Sequence, residues 1–475
     1  MITEIKQTKL ENLNSSLIEK NVSKFGKLDG FLVLDGNWSC RQDTKISYVC
    51  LEPVLKVIHD GTNSYWKDAT GTVCETEDVW KTLKKLCSLL NAKDKSIADC
   101  NLPFIGGYFS YELLHYIEEV PKTKSDSNKV PIFVFYLYSS ILTVSSDKNN
   151  LPELTKVSYS QYEKPIWPAG SLTELNEKIG SIKSAPSSNR ESIEEVLPKY
   201  SNFSKDKYLE NIKYIKDNIS LGNVYQVNLT QKFELPFRCS PSEFFLKLKN
   251  VSPSAYGAFI NFSKEEQFND FSIASSSPEL FIESDGLHLF SSPIKGTIKR
   301  GSSRHEDEQF LNTLINSKKD HAELAMIVDL IRNDMGRVAK VGSVKVINHG
   351  RIETLPYVYH LVSDISCELS DSATIVDIIK ALFPCGSITG APKIAAMEFI
   401  SDIEKTQRGV YTGAVGYYGM NRKFKFNVAI RTATIMNETL FFNAGGGIVI
   451  DSNPEDEYSE TISKAVGLYE TYCSL

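Results

Sequence analysis

Residues 424–450 read FKFNVAIRTATIMNETLFFNAGGGIVI. Two β runs stand out, Phe424–Ile435 and Thr439–Phe442, followed by the glycine triplet Gly445–Gly447 ahead of a further apolar stretch. Working outward, runs of the same texture recur at Val224–Phe233, Ala255–Ile260, Gln267–Ala274, Leu287–Phe290 and Gly413–Tyr418. Helical spacing interrupts them near 305–334, 373–383 and 391–402, and closes the chain from about 455 to 471. An amphipathic helix carrying Tyr208, Ile212, Ile215 and Ile219, with Gly222 at its end, opens the region. Strands in runs with helices between them predict an α+β fold with antiparallel sheets, not repeated βαβ units.

Upstream the texture differs. Strand-like runs Gly30–Asp35, Ile46–Leu51 and Ile132–Val144 flank one helix, Glu77–Leu90, with Val79, Leu83, Leu86 and Leu90 at helical spacing. Residues 145–203 are more polar. They hold a short helix from Ser171, where Ser171 and Glu174 form a capping box over the stripe Leu172, Leu175, Ile179 and Ile182. The linker-like APSSNRES follows. The expected division is an N-terminal region over 1–160, a linker over 161–202 and a C-terminal unit over 203–475.

The whole chain has 475 residues, 41% hydrophobic and 24% charged, so a mainly disordered chain is excluded. The net charge of −6 gives no electrostatic reason to hold nucleic acid or an anionic membrane. The longest apolar stretch, Pro131–Val144, is shorter than the roughly 20 residues a membrane helix needs. The opening MITEIKQTKLENL lacks the apolar centre of a signal peptide. Nine cysteines without a CxxC pair point to free thiols and a cytoplasmic setting.

Four features carry chemistry. In HAELAMIVDLIRND, Glu323, Met326, Ile327 and Leu330 share one helix face. A carboxylate heading an apolar stripe is either at its exposed margin or paired. In DSNPEDEYSETISKA, Glu457, Glu460 and Lys464 share a face, either solvated or functional. Single carboxylates from two helices would suit Mg²⁺ rather than zinc. The glycines of NAGGGIVI and of GSITGAPK (386–393) fit no nucleotide motif; they are turns or places where backbone N–H groups approach a carboxylate. Thr389 is placed to cap a helix begun by Pro392, with Lys393 making an anion site beside it. In PIKGT (293–297), Lys295 either snorkels to solvent or is an amine nucleophile. The latter requires a pKa lowered by burial or by cations such as Lys299 and Arg300, with Glu279 of SSSPELF as proton donor.

SSSPELF, PIKGT, ELAMIVDLIRND, YHLVSD, GSITGAPK, RGVYTGAVGY, AIRTA, GGGIV and DSNPEDEYSET occur in that order over about 203–470. Together they resemble the chorismate-utilising enzymes: anthranilate synthase component I, aminodeoxychorismate synthase component I, and the isochorismate and salicylate synthases. The resemblance implies two large antiparallel sheets packed as a sandwich with helices outside. It implies Mg²⁺ on Glu323 and Glu460 with Glu457 close behind. The ring carboxylate of chorismate would meet that metal, helped by Lys464 and the backbone of Gly445 and Gly447. Arg431 and Tyr411 would hold the enolpyruvyl carboxylate, and His360 and Ser387 would line the ring.

Two positions narrow the implied reaction. Water-using relatives carry a Lys near Gln226, and Gln is no base at neutral pH, so ammonia is the implied nucleophile. PIKGT usually reads PIAGT in anthranilate synthases, whereas its Lys is typical of aminodeoxychorismate synthases. The implied chemistry is attack of Lys295 on C2 while Glu279 protonates the departing C4 hydroxyl, then ammonia at C4. That would place the chain in p-aminobenzoate and folate synthesis, with anthranilate synthase component I as the alternative. No cysteine has the GxCxG context of a glutaminase, so a separate glutamine amidotransferase subunit is the implied ammonia source. Phe31–Gly36, FLVLDG, departs from the LLES-like tryptophan-site motif of anthranilate synthases.

Overall fold

The computed structural model describes residues 2–10, 16–40, 45–90, 102–123, 129–147, 150–168, 193–265, 267–355 and 357–475. The helix expected from Ser171 and the APSSNRES linker lie outside the described residues.

The chain builds two antiparallel sheets with helices outside, as expected of the α+β sandwich. The first runs Gly390–Ala391, Gln226–Pro236, Thr439–Ile448, Thr432–Met436, Phe271–Ser277, Tyr256–Phe262, Leu32–Gly36. The second runs Ile105–Phe109, Ala414–Tyr418, Lys423–Asn427, Leu280–Asp285, His288–Ser292, Val358–Glu368. Ile294–Lys299 and Lys345–Thr354 also pair with Val358–Glu368. The two sheets are continuous with each other, which the sequence did not indicate. Strands Ile46–His59 and Phe133–Ser145 pair along their length and run through both. Tyr48–Cys50 pairs with Leu32–Leu34 of the first sheet, while Phe133–Leu137 pairs with Ile105–Phe109 of the second. Between these halves Glu52 has φ 53° and the register slips between Pro53 and Leu55, so the strand bends there. Strands from both sides of residues 161–202 therefore share sheets.

Strand periodicity sorts the side chains into two cores. Leu32, Leu34, Ala258, Ile260 and Ile273 face inward and meet Ile105, Phe109, Phe281 and Phe426 of the second sheet. Their neighbours Val33, Phe259 and Ala274 face outward, in one core with Ile212, Phe245, Ile462 and Leu468. These come from helices Lys205–Ser220, Pro241–Val251 and Pro454–Cys473. Both faces of the first sheet are thus dry, each large apolar side chain contributing about 1.5–3 kcal/mol of burial.

Three local expectations change. The helical stretch near 305–334 is two helices, Arg304–Ile315 and Lys318–Gly336, because the Ser317 hydroxyl accepts from Asp320 N and starts a new one. Thr389 does not cap a helix: its hydroxyl donates to Cys385 O at 3.1 Å, and helix Lys393–Glu404 starts after Pro392 with no side-chain cap. Lys393 is paired with Asp334, so its ammonium is not an open anion site. Among the described residues no helix is long and apolar enough to cross a membrane, and the eight cysteines there are free thiols.

Candidate active site

The glycine triplet lies inside strand Thr439–Ile448, not in a turn; Gly445, Gly446 and Gly447 face Thr230, Leu229 and Asn228 of the neighbouring strand. None of the three has a positive φ, so the need for glycine is space. A Cβ at Gly446 would stand 3.1 Å from Oε2 of Glu457, 3.8 Å from Oε1 of Glu460 and 3.9 Å from Nζ of Lys464. A Cβ at Gly447 would collide with Nε2 of Gln226 and lie 3.5 Å from Nζ of Lys295. This strand is a bare floor with two groups of functional side chains above it.

Over Gly446 stands the first turns of helix Pro454–Cys473, whose spacing puts Glu457, Glu460 and Lys464 on one side. Lys464 Nζ donates to Gly445 O at 2.9 Å and pairs with Glu460. Burial alone would raise the Glu460 carboxyl, but Lys464 and Lys319 hold it below its ordinary pKa. Glu457 is buried and accepts from Ser452 Oγ at 2.6 Å, with Lys319 Nζ at 3.6 Å. Glu323, on helix Lys318–Gly336, is pushed up by burial, an effect that Lys295 and Lys319 oppose and Glu457 reinforces.

Beside Gly447, Lys295 projects from strand Ile294–Lys299 and donates to Ser387 O at 3.2 Å. Its neighbour Gly296 has φ 78° and lies against Asp320, where a Cβ would be 3.0 Å from that side chain, so strand and helix can approach here only with glycine. Glu279 is 4% exposed, accepts from Ile294 N at 3.4 Å and bonds to Ser387. Its pKa is raised by burial, in spite of Ser387 and Lys295. Lys299 and Arg300 do not gather round Lys295. Lys299 lies over Phe310, and Arg300 is forked onto Asp307 at 2.8 and 2.7 Å and stacked on Tyr359. The charges that reach Lys295 are the carboxylates Glu279, Glu323 and Glu460.

Arg431 joins the two groups. It donates to Lys464 O and interacts with Glu460, Tyr411 and His360. Burial pushes Tyr411 up to about 12. Burial and the Arg431 charge push His360 down to about 4, so its ring is neutral at pH 7 and bonds Thr297 Oγ1 at 2.8 Å. The thirteen residues to which the resemblance gives catalytic, substrate-binding or metal-binding roles therefore fall in one region, while Lys299 and Arg300 stay outside it.

The sequence reading missed others. Lys319 sits one helical turn before Glu323, a spacing that could have exposed it. Thr297 ends the PIKGT stretch yet drew no role. The buried Arg408 makes 2.8 and 2.6 Å contacts with Glu404 and donates to Asn228 O, Ile388 O and Thr412 Oγ1. It thereby ties strand Gln226–Pro236, which pairs with the floor strand, to the segments holding Ser387 and Tyr411.

Among the described residues no group of three or more His, Cys, Asp or Glu side chains is drawn together as a metal centre. Glu323, Glu457 and Glu460 nevertheless influence one another's region through the shared Lys319. Their donors are all carboxylate oxygens, the chemistry that fits Mg²⁺, which needs only one or two protein carboxylates beside substrate oxygens and water.

The family described as chorismate binding enzyme matches residues 38–470. The chain is 36% identical over 363 residues to aminodeoxychorismate synthase component 1 of Bacillus subtilis, covering 76% of this chain and 75% of that one. It is 35% identical over 373 residues to anthranilate synthase component 1 of Aquifex aeolicus, covering 76% and 72%. The solved structure of anthranilate synthase component I from Streptococcus pneumoniae superposes with a TM-score of 0.71 at 26% identity, over 89% of this chain and 92% of that one. With nearly the whole chain matched and the motif residues converging on one glycine floor, this protein belongs to the chorismate binding enzyme family.

Proposed function

We propose that this chain aminates chorismate with ammonia to 4-amino-4-deoxychorismate, through a covalent intermediate on Lys295. One observation carries the choice: the Lys295 amine lies over Gly447, with the raised carboxyl of Glu279 reaching the same Ser387. An amine and a carboxyl whose pKa burial raises, both reaching Ser387, suit an acid-assisted allylic displacement. Lys295 Nζ bonds to C2 as the ring double bond shifts and the C4 hydroxyl leaves as water with the proton of Glu279. Ammonia then bonds to C4, the C2–Nζ bond breaks to release the Lys295 amine, and the new ammonium returns a proton to Glu279. Two displacements leave the amine para to the ring carboxylate.

Arg431, beside Tyr411, offers a planar fork for the enolpyruvyl carboxylate. Neutral His360 packs near it without adding charge. Glu323 and Glu460, with Glu457 behind, would hold Mg²⁺, which when bound supplies positive charge for the ring carboxylate. Ammonia would come from a separate glutamine amidotransferase subunit. The second reading is anthranilate synthase component I, favoured by the comparable likeness to the Aquifex aeolicus protein.

The test is product identity. Wild-type protein with chorismate, Mg²⁺ and ammonium salt should give 4-amino-4-deoxychorismate by mass and NMR. Lys295→Ala should lose most of the para product, and intact-mass analysis without ammonia should show an adduct on wild type alone. A Lys295→Ala variant making the para product at the wild-type rate would remove Lys295 from the chemistry, and anthranilate from the wild type would establish the second reading.

A further inference from the structure

Cys385 is buried and stands two residues before Ser387, at the start of the short turn Gly386–Ile388. Its carbonyl accepts from Ile388 N at 3.3 Å and from Thr389 Oγ1 at 3.1 Å, which folds the turn back on itself. The turn brings the Cys385 and Ser387 side chains together, Sγ to Oγ at 3.2 Å, with either atom able to donate. Burial pushes the thiol up to about 12, so it is S–H at pH 7; the Glu279 charge adds to that rise, while Ser387 and Lys393 oppose it. Lys393 is itself paired with Asp334. Glu279 therefore lies close to both side chains, and the cations that face it are Lys295 and Lys464.

A carboxyl that keeps its proton needs an acceptor for its O–H. The Ile294 N–H, which reaches Glu279 at 3.4 Å, is a donor and cannot serve. Ser387 O is taken by Lys295 Nζ at 3.2 Å. The Ser387 hydroxyl, which bonds the Glu279 side chain, can accept. A hydroxyl that accepts from Glu279 still has one proton of its own to place, and its partner for that proton is Cys385 Sγ.

Resting on the amination reading above, we propose that Cys385 is a positioning residue: its sulfur takes the Ser387 hydroxyl proton, so that Ser387 Oγ accepts the O–H of Glu279 and holds the acid ready beside the ring. When Glu279 has given its proton to the departing C4 hydroxyl, the Ser387 O–H turns to the new carboxylate and the Cys385 S–H turns to Ser387 Oγ. The proton that returns from the new ammonium to Glu279 reverses both turns. Serine and thiol keep their own protons throughout. A thiol is a weak donor and a weak acceptor, so neither setting of the relay is locked.

The experiment reads kcat for the C4-aminated product from about pH 6 to about pH 9, at saturating chorismate and ammonia, in wild type, Cys385→Ala and Cys385→Ser. The alkaline limb reports loss of the Glu279 proton. In Cys385→Ala the Ser387 proton has only the Glu279 side chain to go to, which favours the carboxylate. The limb should move down by about half a pH unit or more, about a threefold loss of kcat on that side. The acid side of the profile and the chorismate KM should stay within about twofold. Cys385→Ser, which again both accepts and donates, should bring the limb back to within about 0.2 unit of wild type. A cysteine that only packs would lower kcat alike at every pH. An unmoved or raised limb in Cys385→Ala, or a Cys385→Ser limb that stays with the Ala variant, overturns the proposal. Should Cys385→Ala not fold by circular dichroism, Cys385→Val, which fills the space without the sulfur, decides by the same shift. Failure of the amination reading is separate and visible: wild type would then yield no product aminated at C4.

Discussion

Replacing Arg408 by Met should destabilise the protein by about 3–5 kcal/mol, the cost of leaving a buried charge without its partner. Arg408 and Glu404 are each 4% exposed. The guanidinium meets the carboxylate through Nε at 2.8 Å and Nη2 at 2.6 Å, and gives further bonds to Asn228 O at 2.8 Å and Ile388 O at 3.2 Å. After the substitution Glu404 keeps only the Thr230 N–H and hydroxyl, both at 3.0 Å, and two carbonyls lose a donor. Urea unfolding followed by circular dichroism reads the midpoint. Glu404→Gln combined with Arg408→Met removes both charges while the Gln oxygen can still accept from Thr230. That double variant should recover more than half the loss, because exchanging a whole buried pair costs far less than halving it. Activity should fall with stability in the single variant, since Ile388 follows Ser387 and Thr412 follows Tyr411. A single variant costing under about 1 kcal/mol, or a double variant worse than both singles, would refute the view of this pair as the tie between three site segments.

Other outcomes are expected. Glu323→Gln and Glu460→Gln should nearly abolish turnover and erase any Mg²⁺-induced rise in melting temperature; retention of more than about half the activity at low Mg²⁺ would unseat them as ligands. The proton that His360 refuses in the fold, with its pKa near 4, binds freely in the unfolded chain, whose His titrates near 6.5. Stability should therefore be full above that value and decline as pH falls toward 4; His360→Asn should flatten this part of the curve, and an unchanged acid slope would contradict the assignment. The isolated chain should use ammonium salts, faster as pH rises and more NH₃ is present, and make no aminated product from glutamine; glutamine-driven turnover by the chain alone would rule out a separate ammonia source.

Much of the site was legible because helical spacing and strand runs are local. Glu323, Glu457, Glu460 and Lys464 could be put on helix faces from periodicity, and the helices do present them to one floor. Periodicity could not say which charged face was dry; Glu457, in a run that reads as solvated, is buried by the Gly446 strand and Ser452. The same limit hid Arg408, whose pairing with Glu404 at helical spacing gives no sign that Asn228 and Ile388 close round it. Proximity in sequence misled for Lys299 and Arg300, because their partners Phe310 and Asp307 come from the following helix. Ile46–Leu51 was recognised and the rest of Ile46–His59 was not, because the bend at Glu52 and Pro53 breaks the alternation that marks a strand. The short strands Asn63–Asp68 and Gly71–Thr76 lack long apolar runs and left no comparable signal.

The passage of Ile46–His59 and Phe133–Ser145 through both sheets also bears on how the protein is made. These strands leave the ribosome early, yet their sheets are completed by segments near the far end, as where Lys425 Nζ bonds to Ser39 O across 386 residues. At about 5–20 residues per second, translation leaves their neighbours Leu32–Gly36 and Ile105–Phe109 waiting roughly 10–60 s for Tyr256–Phe262 and Ala414–Tyr418. Apolar edges exposed that long are ready templates for pairing with another nascent chain. Chaperone occupancy of the first half of the chain during synthesis, and a slow non-local folding step after release, are the expected cost of completing the two sheets with strands made so much later.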